Sequence, residues 1–319
     1  MAALKPVFGW KKMRFIAFGF VLFWISSSAF ASHPAPPVFS GEEVRFEVET
    51  NYFQTDANFK STWGEFVRLD DGNTMRSTQL RLAGKYFVAP EWALGGGAVV
   101  AYSESNNAGQ GLTNSGLSEI FVDMALTKDW HELNISPVVE LVIPIYTVDP
   151  TSHVVMIGEG TMRFNGGVWG DLDVGFIDVF TYLGFSVRDD GRSNLVNWKA
   201  GTYKFLGRFR LGTTVSGQHT LSDDDFAPSP SVRDNVVNMV NAGSYLYYEV
   251  NPEALTASLW ADLNFAEKGE LRVGVAQTLN GANSAAGFSG HVALTWSIGS
   301  SRAVRKKRSA EDFEVEIAE

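Results

Sequence analysis

The stretch Gly287–Ile298, GFSGHVALTWSI, decides the fold. Its side chains alternate, with a period of two, between a mostly apolar set and a polar or small set. The first set is Phe288, Gly290, Val292, Leu294, Trp296 and Ile298, and the second is Ser289, His291, Ala293, Thr295 and Ser297. A β-strand turns successive side chains to opposite faces, so the stretch predicts a strand with one greasy face and one polar face. A soluble sandwich alternates in the same way, so the rest of the chain has to show what the greasy face contacts.

The same alternation recurs along the chain, in segments of about ten residues. Predicted strands cover 44–52, 77–88, 92–103, 116–127, 133–143, 168–176, 180–187, 195–203, 207–215, 244–250, 255–265, 271–279 and 287–298. The region 238–279 divides either into two long strands or into more short ones, so the total is roughly 12 to 14. An even number is required when both chain ends lie in the periplasm, and we take about twelve.

The connections between these strands mostly alternate between short and long. Residues 89–91 and 128–132 form short turns, whereas 104–115 and 144–166 form longer loops. Transmembrane barrels have short periplasmic turns and longer outer loops, and their tilted strands need about 9–11 residues to cross a bilayer. The pattern predicts an all-β fold, a transmembrane antiparallel up-and-down β-barrel of about 12 strands. A secreted soluble β-protein is the alternative.

The two ends of the chain differ from the alternating region. Residues 1–31 have a basic start, an apolar run and the small-residue site Ala29-Phe30-Ala31, which predicts a secretory signal peptide. An uncleaved membrane anchor is the alternative, although the apolar run is shorter than the ~20 residues of a spanning helix. Residues 32–40 are predicted as a flexible lead-in, 41–299 as the barrel and 300–319 as a charged, disordered periplasmic tail. This organisation places the protein in the outer membrane.

The charge of the chain bears on its partners, and its lack of cysteine bears on its stability. Removing residues 1–31 takes away four of the 26 basic residues and none of the 36 acidic ones, so the formal net charge falls from −10 to −14. Such a charge argues against nucleic acid as a partner. The chain has no cysteine. Its stability therefore has to come from a large core or a closed sheet.

Patterns that would carry catalysis or metal binding are weak. The sequence has no phosphate loop, CxxC or HExxH. His291 and Ser289 lie two residues apart on one strand face, which the alternation alone explains. His219 and the acidic run 223–225 are a candidate site for a divalent cation, with a solvated acidic loop as the simpler interpretation. We predict no enzyme activity, no catalytic or metal-binding residues and no cofactor.

If the apolar faces contact lipid, the charged faces line a lumen. The predicted inward acids are Glu47, Glu49, Glu119, Asp123, Glu140, Asp171, Asp173 and Asp262, and the predicted inward bases are Arg45, Arg81, Lys85, Lys199, Arg208, Arg210 and Arg272. These charges nearly cancel. They form either an ion-pair network that braces neighbouring strands or a polar constriction that selects solutes, and the two are compatible. Phe121 and Trp260 would narrow the lumen or form an apolar slide.

Several aromatic residues fall near predicted strand ends, as the aromatic girdles of membrane barrels do. They are Tyr86, Trp92, Tyr102, Trp130 and Trp296.

Short motifs between about residues 115 and 298 resemble a known family. Gly116-Leu117-Ser118-Glu119 stands where that family has a Gly-x-Gly-Asp strand opening, Ile143-Pro144 ends a strand as its Pro-Thr-Gly step does, and Asn280-Gly281-Ala282-Asn283 is similar to its Gly-x-Asn turn. The chain thus resembles the outer-membrane transporters associated with meta-pathway phenol degradation. The resemblance implies a barrel of about a dozen strands that passes hydrophobic or aromatic compounds. It implies no catalytic residues.

We therefore expect an outer-membrane channel that passively passes small, hydrophobic or aromatic solutes through a mixed-charge lumen. Its expected partners are outer-membrane lipids, the barrel-assembly machinery and a small-molecule solute. The alternative is a plugged barrel with a structural or surface-interaction role and no transport.

Overall fold

The structure, a computed structural model, describes residues 43–70, 72–89, 91–130, 132–149, 151, 153–266 and 268–299. The predicted signal peptide, lead-in and tail lie outside the described residues. The strands are β1 (Glu43–Phe59), β2 (Phe66–Arg68), β3 (Thr74–Ala89), β4 (Trp92–Asn107), β5 (Gln110–Leu126), β6 (Lys128–Trp130), β7 (Leu133–Pro144), β8 (Arg163–Asp173), β9 (Asp178–Arg188), β10 (Leu195–Leu206), β11 (Phe209–Thr220), β12 (Glu253–Ala266), β13 (Gly269–Ala282) and β14 (Ser284–Gly299). A helix, α1 (Ser231–Val240), lies between β11 and β12.

Twelve long strands close into one antiparallel barrel. Each pairs with the next long strand, and β14 pairs with β1 along nearly its whole length, from Glu43 opposite Gly299 to Phe59 opposite Ser284. Of the two short strands, β2 pairs with the end of β1, and β6 continues β5 and pairs with β7. Because the sheet closes on itself, it has no open edge, as a sheet in lipid requires. The predicted twelve-stranded all-β barrel is confirmed.

The two ends of the barrel differ. At one end lie the described chain termini and the tight connections after β3, β6, β8, β10 and β12. At the other end lie all of the longer connections, 60–73, 145–162, 189–194 and 221–252, together with two tight turns, at 108–109 and at Asn283. Short turns are periplasmic and longer loops are outer in this class of barrel, which assigns the first end to the periplasm and the second to the outside.

The outward-facing side chains form an apolar belt. In β14, Val292, Leu294 and Ile298 are 49%, 45% and 57% exposed, whereas Ala293 and Ser297 between them are 4% and 8% exposed. A contiguous exposed apolar surface of this extent marks a membrane-facing surface. The apolar face of Gly287–Ile298 therefore points away from the lumen.

Exposed aromatic residues accumulate near the periplasmic end of this belt. Trp92 lies opposite Ala89 beside the β3–β4 turn, and Trp130 ends β6. Trp296 lies opposite Phe46 and packs 6.0 Å, centroid to centroid, from Phe265. Tyr102 lies farther from this end, opposite Thr78.

Two connections differ from the predictions. The predicted loop 104–115 is wrong, because β4 continues to Asn107, β5 begins at Gln110, and Ala108 and Gly109 turn the chain with positive φ angles of 48° and 86°. These strands are 16 and 17 residues long, whereas a bilayer needs only ~9–11 residues. Their outer parts therefore extend beyond the membrane, where polar side chains are tolerated and the strands remain paired. The predicted strand 244–250 is also wrong, because these residues fold as turns. Among the described segments, no helix combines the length and apolar character that crossing a membrane would need.

Candidate functional site: the barrel lumen

The inward-facing side chains enclose a chamber of about 490 Å³. Its wall comes from inward positions of most of the barrel strands, and its outer side comes from two connections. The chamber is lined by as many acidic as basic residues of the described chain. The acids are Glu47, Glu119, Asp123, Glu140, Glu159, Glu249 and Glu270, and the bases are Arg45, Arg81, Lys85, Arg163, Arg188, Lys199 and Arg272.

One group of ion pairs joins β3, β5, β7 and β8. Arg81 Nη2 lies 2.9 Å from Glu140 Oε2, and Arg163 Nη2 lies 2.8 Å from Glu119 Oε2. The Asn165 side-chain amide also donates to Glu140, over 3.1 Å. Each pair connects side chains from different strands, so the group braces this half of the wall.

A second group braces the opposite part of the wall, across β11, β12 and β13. Asp262 accepts hydrogen bonds from Arg210 Nε and Arg272 Nε, and each of these bonds is 2.6 Å long. Arg272 also donates to Glu270 over 3.1 Å. The guanidinium groups of Arg210 and Arg272 lie 5.3 and 5.7 Å from the ring of Trp260. A carboxylate held by two arginines this deep in the barrel is fully compensated only while both remain in place.

Four aromatic side chains, from β8, β9, β10 and β12, pack together on one side of the lumen wall. Trp169, Phe180, Tyr203 and Trp260 are buried together, with Phe180 6.1 Å from Trp169 and 6.0 Å from Tyr203 between ring centroids. Lys199 Nζ lies 5.3 Å from the Trp169 ring, close enough for a cation–π contact.

Four inward-facing rings each cover a glycine directly opposite on the neighbouring strand. The pairs are Trp260 with Gly212, Phe180 with Gly201, Phe121 with Gly97 and His291 with Gly274. A Cβ atom added at any of these glycines would collide with the facing ring, at 2.7 Å from Cζ in the case of Phe121. Because the glycine leaves this space, the ring can lie over the backbone of the neighbouring strand.

The outer mouth is filled by two connections that fold inward. We call residues 221–252, which include α1, the lid and residues 153–162 the strap; together they are the cap. Met156 of the strap and Val240, Leu246 and Tyr247 of the lid form one buried cluster with Phe53 and Met75 on the inner wall. The cap thus packs on the barrel as a small hydrophobic core.

Hydrogen bonds fix the lid to the wall. The Tyr247 hydroxyl lies 2.5 Å from Ser77 Oγ and accepts from the Gln79 side-chain amide over 3.1 Å. The Asn58 side chain donates to the Gly243 carbonyl over 2.7 Å and accepts from the Tyr245 amide over 3.0 Å. These wall residues are on β1 and β3, and across the mouth Arg192, in the β9–β10 connection, donates to the Tyr247 carbonyl at a distance of 2.7 Å, so the lid is held from both sides.

Charged groups also meet inside the cap. Arg233 of α1 lies 2.8 Å from Asp224 and donates to the Glu249 carbonyl over 3.1 Å. Glu159 of the strap lies 3.4 Å from both Arg163 and Arg188. The strap is therefore tied to β8 and β9 by two arginines.

The predicted lumen residues fall in three places. Those that line the chamber are Arg45, Glu47, Arg81, Lys85, Glu119, Asp123, Glu140, Lys199 and Arg272. Glu49, Asp171, Arg210 and Asp262 face inward outside the chamber lining, where Asp171 accepts from the Tyr203 hydroxyl over 2.8 Å. Asp173 and Arg208 lie at periplasmic turns: Asp173 accepts from the Gly175 amide, and Arg208 is exposed between β10 and β11.

The sequence prediction missed chamber residues at strand ends and in connections. Arg163 and Arg188 lie at the outer ends of β8 and β9, and Glu159 and Glu249 belong to the cap. Arg163 continues the alternation of Asn165 and Gly167, but the sequence prediction places it in the loop 144–166. Nothing local marks the two glutamates as lumen residues.

The candidate cation site at 219–225 has other contacts. His219 Nδ1 lies 3.3 Å from Glu253, Asp223 accepts from the Asn251 side chain, and Asp224 pairs with Arg233. Among the described residues, no three histidine or acidic side chains are grouped as a metal site would need.

A closed twelve-stranded barrel with an apolar outer belt and an ion-paired polar lumen is the architecture of an outer-membrane β-barrel protein. No family model and no curated protein matches the chain. Among solved structures, an outer membrane channel from Pseudomonas putida F1 is similar, with 12% identity, a TM-score of 0.62 and coverage of 85% of this chain and 100% of that chain.

More distant matches include the KdgM porin, at 8% identity and a TM-score of 0.44 over 79% of this chain and 99% of that one. The CymD monoaromatic hydrocarbon channel matches at 7% identity and a TM-score of 0.41, over 82% of this chain and 90% of that one. The similarity to the Pseudomonas putida channel supports the barrel fold. Membership of the phenol meta-pathway family stays a prediction.

Proposed function

We propose that the protein is an outer-membrane channel through which small solutes diffuse passively. The observation that carries this proposal is the position of the obstruction. The wall of the chamber is formed by the closed sheet, and its outer side is closed by the lid and the strap, which are not part of the sheet. The cap can therefore move without breaking a single strand pair.

The lining also indicates which solutes fit. Acidic and basic side chains balance, and most are paired with each other, so the lumen offers little net attraction to either sign of charge. Trp169 and Tyr182 supply aromatic surface, and Thr214, Ser258 and Thr278 supply hydroxyls on the facing wall. This combination favours small, weakly charged molecules with a hydrophobic or aromatic part.

The second candidate function is a permanently plugged barrel that acts through its outer surface. The observation in its favour is the cap itself, which is hydrogen-bonded and hydrophobically packed. The two candidates differ in one measurable property, because a plugged barrel gives no conductance.

Planar-bilayer recording and liposome swelling test the proposal. We expect the full chain to conduct in intermittent openings, and we expect a variant whose lid residues 222–250 are replaced by a short Gly-Ser linker to conduct steadily. If the lid-shortened barrel folds, as judged by heat-modifiable gel migration, and still neither conducts nor passes small solutes, the channel proposal is wrong.

A further inference from the structure

A carboxyl group in the lid is buried with little compensation. Glu249 lines the outer side of the chamber and is 7% exposed. Its Oε2 atom has no hydrogen-bond partner among the residues that the structure describes. It makes a long ion-pair contact with Arg188, with 4.0 Å between Oε1 and Nη1. Burying a carboxylate with so weak a partnership is costly, so this group favours its neutral form while the lid is closed.

The charged groups that face Glu249 come from four parts of the chain: β9, the β9–β10 connection, the strap and α1. Arg188 ends β9, and Arg192 lies in the β9–β10 connection, where it donates to the Tyr247 carbonyl over 2.7 Å. Glu159 approaches from the strap and Arg233 from α1. Arg188 lies closer to Glu159, at 3.4 Å, than to Glu249. The strap therefore holds the shared arginine more tightly than the lid does.

The pKa values of the two carboxyl groups are therefore shifted in opposite directions. Burial raises the pKa of Glu249 above its ordinary value of 4.5, and Arg192 and Arg188 do not offset that effect. Burial acts on Glu159 in the same direction, but Arg163, Arg188 and Arg192 outweigh it and lower the pKa to about 2. Both groups lie in connections outside the barrel strands.

We propose that Glu249 couples closure of the lid to proton uptake, so that mild acid holds the outer mouth shut and ionisation of Glu249 favours release of the lid. This inference rests on the proposed channel function and adds its regulation. The geometry supplies the two states: in the closed lid the carboxyl group is buried beside the chamber, and in a released lid it is hydrated.

The direction follows from linkage. The closed state has the higher pKa for Glu249 and therefore binds the proton more tightly than a released lid, whose carboxyl group has the ordinary value. Closure is then favoured as pH falls toward that ordinary value and is progressively lost as pH rises through the closed-state pKa. Each unit of difference between the two states changes the closed-to-open ratio by about tenfold.

Glu159 limits closure at lower pH. Its lowered pKa means that the strap is stabilised while Glu159 is ionised, and that this contribution is lost as pH falls from about 4.5 toward about 2. Closure is therefore greatest in mildly acidic solution and weaker on both sides of it.

Single-channel recording of the full chain across this pH range tests the proposal. As the pH is lowered from alkaline solution toward the ordinary value of 4.5, we expect the open probability of the natural chain to fall by about tenfold for each unit by which the pKa values of the two states differ. Glu249→Gln, which mimics the protonated group, should stay mostly closed and lose this response. Glu249→Asp keeps a carboxyl group and should retain it. Glu91→Gln, at an exposed periplasmic turn, is the matched control and should behave as the natural chain does.

The outcomes separate the two proposals. A Glu249→Gln variant that responds to pH as the natural chain does, or a natural chain whose openings do not depend on pH, overturns the proton coupling, while conduction by the lid-shortened barrel leaves the channel function standing. Absence of conduction in the folded lid-shortened barrel at every pH overturns the channel function and the coupling together.

Discussion

The wall of the lumen and its cap are both built from aromatic and charged side chains, yet these side chains are fixed in different ways. In the wall, Trp260 lies over Gly212, and Asp262 is held by two arginines within the continuous sheet. In the cap, Tyr247 reaches its partners Ser77 and Gln79 from a connection. Wall contacts join side chains of strands that are paired with each other, whereas cap contacts join the barrel to connections that lie outside the sheet. The comparison teaches that the wall determines stability and the cap determines access.

The largest effect is expected from the wall. Asp262→Asn removes the charge that Arg210 and Arg272 share, and both guanidinium groups stay buried. Breaking a buried ion pair by removing one partner costs about 3–5 kcal/mol. We expect the free energy of unfolding, measured by urea titration in detergent micelles, to fall by that amount.

An exposed pair supplies the control. Lys128 and Glu91 lie 3.2 Å apart at the periplasmic turns, with side chains 67% and 51% exposed. Glu91→Gln should change the free energy of unfolding by about 0–1 kcal/mol, because water screens the pair. Equal losses for Asp262→Asn and Glu91→Gln would show that the wall network does not brace the barrel.

The ring-over-glycine pairs give the next largest effect. Gly212→Ala places a methyl group where the Trp260 ring lies, so the ring has to turn toward the lumen or the strands have to shift. Overpacking of this kind costs about 1–3 kcal/mol. We expect lower stability together with a lower conductance of the lid-shortened barrel, because the displaced ring occupies the passage.

Gly111→Ala is the matched substitution for this test. Gly111 is also a strand residue, on β5, but a Cβ atom there has nothing within 4 Å. Its conductance and stability should be unchanged. A conductance as low as that of Gly212→Ala would mean that loss of glycine, rather than ring displacement, causes the effect.

The alternation of side chains was sufficient to predict the wall. It gave the closed all-β architecture, the number of strands and the inward position of Arg81, Glu140 and Asp262, because a strand fixes the side of every residue from its parity alone. It failed at 104–115, where β4 and β5 extend beyond the apolar belt. There both faces are polar, and hydropathy no longer reports strand pairing.

The cap could not be predicted in this way. Tyr247 and Ser77 are 170 positions apart, and their contact depends on the whole barrel having closed. The segment 244–250 carries apolar side chains at intervals that suit a strand, but these residues pack into the mouth through turns that include Tyr247 at φ 74°. Hydrophobic residues there serve a tertiary cluster, and local periodicity does not distinguish the two cases.

A smaller effect is expected from a single cap contact. Tyr247→Phe keeps the ring in its hydrophobic cluster and removes the hydroxyl that contacts Ser77 and Gln79. Loss of a hydrogen bond of this kind costs about 0.5–1.5 kcal/mol, which corresponds to an increase in open probability of a few-fold to about tenfold. The urea midpoint of the barrel should not move, and a lowered midpoint with unchanged openings would show that the lid contributes to stability and not to access.

The smallest effect is expected on ion selectivity, where a charge in the lumen is compared with a charge at a turn. Lys85 lines the chamber and lies 3.1 Å from Asp123, so Lys85→Ala leaves that carboxylate uncompensated, and the reversal potential in a salt gradient should shift toward cation selectivity. Arg208 is exposed at the β10–β11 turn, and Arg208→Ala should leave the reversal potential unchanged and the stability within about 0.5 kcal/mol. Both variants remove one positive charge from the chain, so a difference between them depends only on where the charge lies. Equal shifts would mean that ions sense the periplasmic mouth rather than the chamber, and the chamber would then not be the narrowest part of the pathway.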